Sequence, residues 1–215
     1  MISNPTIEEL HNDEEFRLLK KLEHGQVKEF VLSEVKKGGR LIRFYQGYQT
    51  LMIITGILFI VISVVKALKG EAGSFKYSAA ALIFGFTVMI ILHELIHGAA
   101  FKLTGVPKVT YGAYLKEFMF YAEADRYVLN RKQFTVVALA PLITVKIVTL
   151  TGIILFLSHP AVYFFIVLMS LHSLFCAGDI TLLSYFYSYG EEIFTYDNRA
   201  ERKSYYYLKK QLNQK

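Results

Sequence analysis

The sequence predicts an all-α polytopic membrane protein: about four transmembrane helices, amphipathic N-terminal helices ahead of them, and a short cytoplasmic β-hairpin. Three observations predict it. The 215 residues are 53% hydrophobic, with a mean hydropathy of +0.35, too apolar for an ordinary soluble domain. Charge gathers at the two ends while the middle reads as apolar blocks. Each block reaches the ~18–20 residues that a membrane span requires.

Residues 1–44 are polar but patterned, and read as a cytoplasmic or interfacial helical segment. Thr6-Ile7-Glu8-Glu9 has the form of a capping box. Val27, Phe30, Val31 and Val35 recur at helical spacing, and Gly38-Gly39 end the pattern. These helices lie at the membrane surface or form a soluble hairpin. No signal peptide is evident, so the first span is expected to act as an uncleaved anchor.

Residues 45–188 form the membrane domain, with spans at about 48–65, 77–101, 134–157 and 160–187. The third contains Lys146, and only Ser158-His159 separate it from the fourth. Between the second and third lies the 102–133 loop. In it, Lys108–Tyr114 and Phe118–Glu123 are rich in β-branched and aromatic residues, with Leu115-Lys116-Glu117 as the turn of a hairpin. Residues 189–215 read as a tail. Lysine and arginine number eight before the first span, three after it, six in the 102–133 loop, none between the third and fourth spans, and six in the tail. That bias places both termini and the 102–133 loop in the cytoplasm.

The net charge of +6 and pI of about 9.2 suit contact with anionic membrane lipid. No aromatic-basic single-strand motif or reading helix is present, so no nucleic-acid partner is expected. The single cysteine, Cys176, excludes an internal disulfide.

Within the second span stands His93-Glu94-Leu95-Ile96-His97. On a helix, His93 and His97 lie one turn apart on one face, the spacing with which two imidazoles hold one Zn²⁺. Glu94 falls beside them, where a carboxylate can take a proton from a metal-bound water. Histidine and glutamate inside a span are costly, which makes them functional candidates. The plain alternative is that the histidines hydrogen-bond across helices and Glu94 sits at the interface.

A zinc hydrolase site needs a third protein ligand. His172, Cys176 and Asp179 are spaced to share one face of the fourth span. At ~1.5 Å per residue, His93 and His97 lie ~24 and ~30 Å from the outer end of their span. Asp179 lies at ~28 Å, Cys176 at ~24 Å and His172 at ~18 Å. Asp179 is therefore the favoured ligand, and Gly178 would allow close helix approach. Cys176 is the runner-up, and His172 reads as a hydrogen bonder to the ligands. Pro141 frees the carbonyl of Val137, either to bind a substrate strand or as part of a simple kink. Lys146, mid-membrane, needs partners, for which His172 and Asp179 are candidates.

With these residues in place, the chain resembles the putative zincin peptidase family of small bacterial membrane proteins. His93-Glu94-Leu95-Ile96-His97-Gly98 matches the core of that family. Leu139-Ala140-Pro141 looks like its proline motif, and Cys176-Ala177-Gly178-Asp179-Ile180 like its late Gly-Asp motif. More distantly, the chain is similar to the site-two class of intramembrane metalloproteases. That resemblance implies a His-His-Asp site at His93, His97 and Asp179, with Glu94 as general base. It further implies residence in the bacterial cytoplasmic membrane. The expected function is a zinc-dependent membrane-embedded endopeptidase acting on membrane or membrane-associated proteins. The 108–123 hairpin would receive an extended substrate by strand addition. Two other readings are a non-catalytic membrane scaffold or sensor with a structural or vestigial metal site, and a metal transporter. The transporter is disfavoured because few polar residues are spread through the depth of the spans.

Overall fold

The computed structural model describes residues 4–114, 119–189 and 192–210. The chain forms two compact units. One comprises Arg40–Ile96 and Leu139–Ile180; the other comprises Met1–Gly39, His97–Ala138 and Thr181–Lys215.

The first unit is helical. It holds α3 (Arg40–Leu68), α4 (Gly73–Phe86), the start of α5 (Val88–Leu103), most of α6 (Arg131–Leu155), α7 (Val162–Phe175) and the start of α8 (Ala177–Ser188). Helices α3 and α6 are each long and apolar enough to cross a membrane. The pairs α4–α5 and α7–α8, bent by 51° and 45°, bring the number to as many as four if each is one span. The most apolar window of α3, of mean hydropathy 2.6, is only 17% buried. Leu51, Ile54, Ile57, Leu58 and Val61 point outward along it. So large an apolar surface suits lipid and not water.

Small residues let these helices approach. A Cβ at Gly56 would lie 2.8 Å from the Cβ of Ser170, so α3 and α7 pack almost backbone to backbone there. Ala81, Met89, Val145, Val167 and Leu168 form one buried cluster. Tyr45, Cys176 and Ile180 form another, in which the Tyr45 hydroxyl donates to the Ser173 carbonyl at 2.6 Å.

The second unit corrects the all-α expectation. It contains α1 (Ile7–Asn12), started by the expected Thr6/Glu9 capping box, and α2 (Val27–Lys37). Between them, inside the segment expected to be helical, Phe16–Glu23 is a strand, β1. The tail forms two more, β5 (Ile193–Asn198) and β6 (Lys203–Lys209). With β4 (Leu129–Asn130) they make an antiparallel sheet of order β1-β6-β5-β4, in which Phe16 pairs with Lys209 and Asn130 with Phe194. Three distant chain segments meet in this sheet, so all three lie on one side of any membrane the helices cross. Its core joins Leu22, Phe30, Tyr185, Phe186, Ile193 and Tyr206, with Phe134 stacked on Phe186 at 4.1 Å. The start of α6 is fixed by a reciprocal cap in which Asn130 Oδ1 accepts from the Gln133 amide and Gln133 Oε1 from the Asn130 amide.

The same unit carries the expected hairpin, β2 (Thr110–Tyr114) paired with β3 (Met119–Glu123). Its expected turn, Leu115-Lys116-Glu117, lies outside the described residues.

Candidate metal centre

Helix α5 restarts after the bend at Thr87, so His93 sits in its second turn and His97 one turn later on the same face. Both imidazoles are buried, and Glu94 between them is half-buried. The break at Cys176 between α7 and α8 starts α8 afresh and puts Asp179 in its first turn, where helix-terminal N–H groups favour a carboxylate. His172, Cys176 and Asp179 thus do not share one continuous helix, as their spacing had suggested. They lie on either side of a bend.

Within the helical unit, His93 is the hub. Its Nε2 lies 3.3 Å from Oδ2 of Asp179. Its Nδ1 lies 3.1 Å from Nε2 of His172. Beyond that, Cys176 Sγ lies 3.7 Å from His172 Nδ1. His172 and Cys176 are both fully buried. The donor atoms of His93, His172 and Cys176 all fall within 4.8 Å of one another.

In the other unit, His97 Nδ1 lies 3.0 Å from the carbonyl oxygen of Val137. A carbonyl only accepts, so Nδ1 carries the proton and Nε2 keeps the lone pair. Pro141 explains why this carbonyl is available. Four residues on in α6, it has no N–H with which to engage Val137. The oxygen expected to serve a substrate strand or nothing at all instead orients His97.

These residues fit a zinc ion. Two ligands bound at 2.0–2.2 Å in a tetrahedral array lie about 3.3–3.6 Å apart, and the His93–Asp179 contact of 3.3 Å matches that edge. Each histidine engages Nδ1 with a protein partner, the arrangement that commonly fixes zinc-binding imidazoles.

Two expectations about neighbours change. A Cβ at Gly178 would meet nothing within 4 Å among the described residues, so Gly178 is not a close-approach glycine. Lys146 is answered by α3, not by His172 and Asp179. Its ammonium lies over the Tyr48 ring at 4.8 Å and 3.5 Å from Met52 Sδ.

One residue near the motif was not anticipated. The hydroxyl of Tyr111 on β2 occupies the place that a Gly98 side chain would fill. Gly98 lies one turn after Glu94 in the sequence of α5, and the hairpin is seated on the helix at this glycine. The sequence signal for this was a glycine in a helix interior, which costs about 1 kcal/mol unless something needs the space.

Residues 86–194, just over half of the chain, match the protein family described as "Putative zincin peptidase". No curated protein and no solved structure matches the chain. The matched stretch contains α5 with its HExxH motif, the hairpin, Pro141 and the α7–α8 bend with Asp179. The chain therefore belongs to the putative zincin peptidase family.

Proposed function

We propose that this protein is a zinc-dependent membrane-embedded endopeptidase that hydrolyses peptide bonds of membrane or membrane-associated proteins. His93, His97 and Asp179 hold the metal, and Glu94 is the general base. The observation that carries this is the 3.3 Å approach of Asp179 Oδ2 to His93 Nε2, on an imidazole whose Nδ1 already faces His172. When bound, Zn²⁺ supplies a Lewis acid that makes water acidic and polarises a carbonyl.

The chain's own residues do the rest. His93 and His97 present Nε2 because His172 and the Val137 carbonyl hold their other nitrogens. Glu94, half-buried beside them, takes the proton of the attacking water and returns it to the leaving amine. A helical substrate hides its peptide bonds, so it must be extended to react. The β2–β3 hairpin, docked through Tyr111 on Gly98, offers a strand edge for that purpose. The excess of lysine and arginine on the sheet-forming segments supports a cytoplasmic position for the hairpin and both termini.

The test is Glu94→Gln in protein reconstituted in vesicles with unfolded and single-span substrates. The variant should keep stoichiometric zinc and lose at least about a hundredfold in hydrolysis. Asp179→Ala should lose the zinc. Zinc retained by every protein, with no cleavage by wild type and no phenotype for Glu94→Gln, would refute the peptidase and favour the non-catalytic scaffold.

A further inference from the structure

We propose that His172 is a positioning residue for the metal centre. It fixes the tautomer of His93, with Cys176 as the end of the same hydrogen-bond chain. This rests on the metal-site reading above but not on catalysis.

The direction of the chain follows from donor and acceptor chemistry. An imidazole that gives Nε2 to a metal carries its proton on Nδ1. His93 Nδ1–H then donates across 3.1 Å to Nε2 of His172, which must be the lone-pair nitrogen. His172 is left with its proton on Nδ1, and that nitrogen is the nearer of the two to Cys176 Sγ, at 3.7 Å against 3.9 Å. Sulfur is a weak but adequate acceptor. Every hydrogen in the series has a place, and reversing any one leaves two protons or two lone pairs facing each other. In a buried site such a mismatch costs on the order of 1–3 kcal/mol.

The bend at Cys176 makes this possible. It lets α7 bring His172 to one edge of the His93 ring while α8 brings Asp179 to the other. His93 is therefore gripped at both nitrogens from two helices. Tyr45, donating to the Ser173 carbonyl at 2.6 Å, ties α3 to the end of α7 that carries His172.

His93, His172 and Cys176 would alternatively be ligands themselves, since their donor atoms converge within 4.8 Å. That arrangement requires His93 Nδ1 to face the metal, which withdraws its Nε2 from the role beside Asp179. The two readings make different spectra.

The experiment uses the full chain in detergent or nanodiscs. Zinc affinity is measured by chelator competition, and Co²⁺ is the spectroscopic probe. His172→Phe should weaken zinc 10–100-fold and alter the Co²⁺ visible bands. His172→Gln, whose side-chain oxygen can accept from His93, should recover affinity to within about fivefold of wild type. Cys176→Ser should stay within about threefold. Helical content of the metal-free variants, measured alongside, separates misfolding from lost positioning, and His172→Gln provides the test if His172→Phe misfolds. Wild-type affinity in His172→Phe, or failure of Gln to rescue, overturns the proposal. So does a thiolate-to-Co²⁺ charge-transfer band that disappears in Cys176→Ser, because it makes Cys176 a ligand. No zinc binding by wild type overturns the metal centre itself. Zinc affinity that depends on His172, in a protein that cleaves nothing, leaves the positioning role intact and removes only the peptidase.

Discussion

Replacing Glu123 with glutamine should flatten the pH dependence of the sheet unit. Glu123 ends β3 and is 3% exposed, and neither of its carboxylate oxygens has a hydrogen-bond partner among the described residues. Burial raises its pKa from 4.5 to about 7, and Asp197 on β5 and Asp125 just past β3 push the same way. Arg199 opposes them only partly. Asp197 is held up by burial too, although Ser204 donates to it at 2.6 Å and His24 faces it. Arg202 in turn faces His24, whose own pKa burial lowers.

The sign follows from proton counting. Between pH 4.5 and about 7 the folded state holds the Glu123 proton and the unfolded chain does not. Stability from this group is therefore complete below pH 4.5 and is lost as pH rises through about 7. Between pH 5 and pH 8 the loss is about 2.5 kcal/mol, or roughly 70-fold in an opening equilibrium. Amide exchange of β5 and β6, followed by mass spectrometry on the full-length protein, reads that equilibrium. The ratio of protection in Glu123→Gln to that in wild type should rise about 70-fold from pH 5 to pH 8. A ratio constant within threefold across that range would refute the reasoning.

Pro141→Ala should move stability and metal binding in opposite directions. An alanine supplies an N–H for the Val137 carbonyl, raising helix stability by up to about 3 kcal/mol while loosening His97, so zinc affinity should fall about tenfold. A calorimetric scan and chelator competition on one preparation check both. Gly98→Ala drives a methyl group into the Tyr111 hydroxyl and should cost about 1–3 kcal/mol in thermal unfolding. Adding Tyr111→Ala should remove most of that penalty, and additive penalties would show that the two positions do not touch.

The sequence made some features legible because their signals are local. The long apolar helices follow from runs of apolar residues, and the pairing of His93 with His97 follows from helix pitch. The hairpin at 110–123 was visible in its aromatic and β-branched composition. The depth of His172, ~18 Å along its span, marked it as a hydrogen bonder to the ligands, and its ring meets His93 at 3.1 Å. The four-stranded sheet was not. Phe16–Glu23 reads Phe-Arg-Leu-Leu-Lys-Lys-Leu-Glu, which suits a helix as well as a strand, and only pairing with Lys203–Lys209 decides it. Nor were the bends. Thr87 and Cys176 are ordinary residues within apolar runs, with no proline at either break to announce it. The carbonyl freed by Pro141 was found from sequence, but its partner was not, because that partner comes from another helix.

The pairing of Phe16 with Lys209 also sets an order of events during synthesis. The first strand leaves the ribosome early, and its neighbour is made only after every helix between them. At 5–20 residues per second that interval is about 10–40 s. Throughout it, β1 is an open edge with no template. β5 and β6 can form a hairpin by themselves, whereas β1 can pair only once β6 has been made. If the helices cross a membrane, as their length and composition allow, closure of the sheet requires its strand-bearing segments to lie on one side of it. A chain in which one of those helices failed to cross would hold the strands apart and leave β1 without its partner. Closure of the sheet is in this respect a check on the path the chain has taken between its strands.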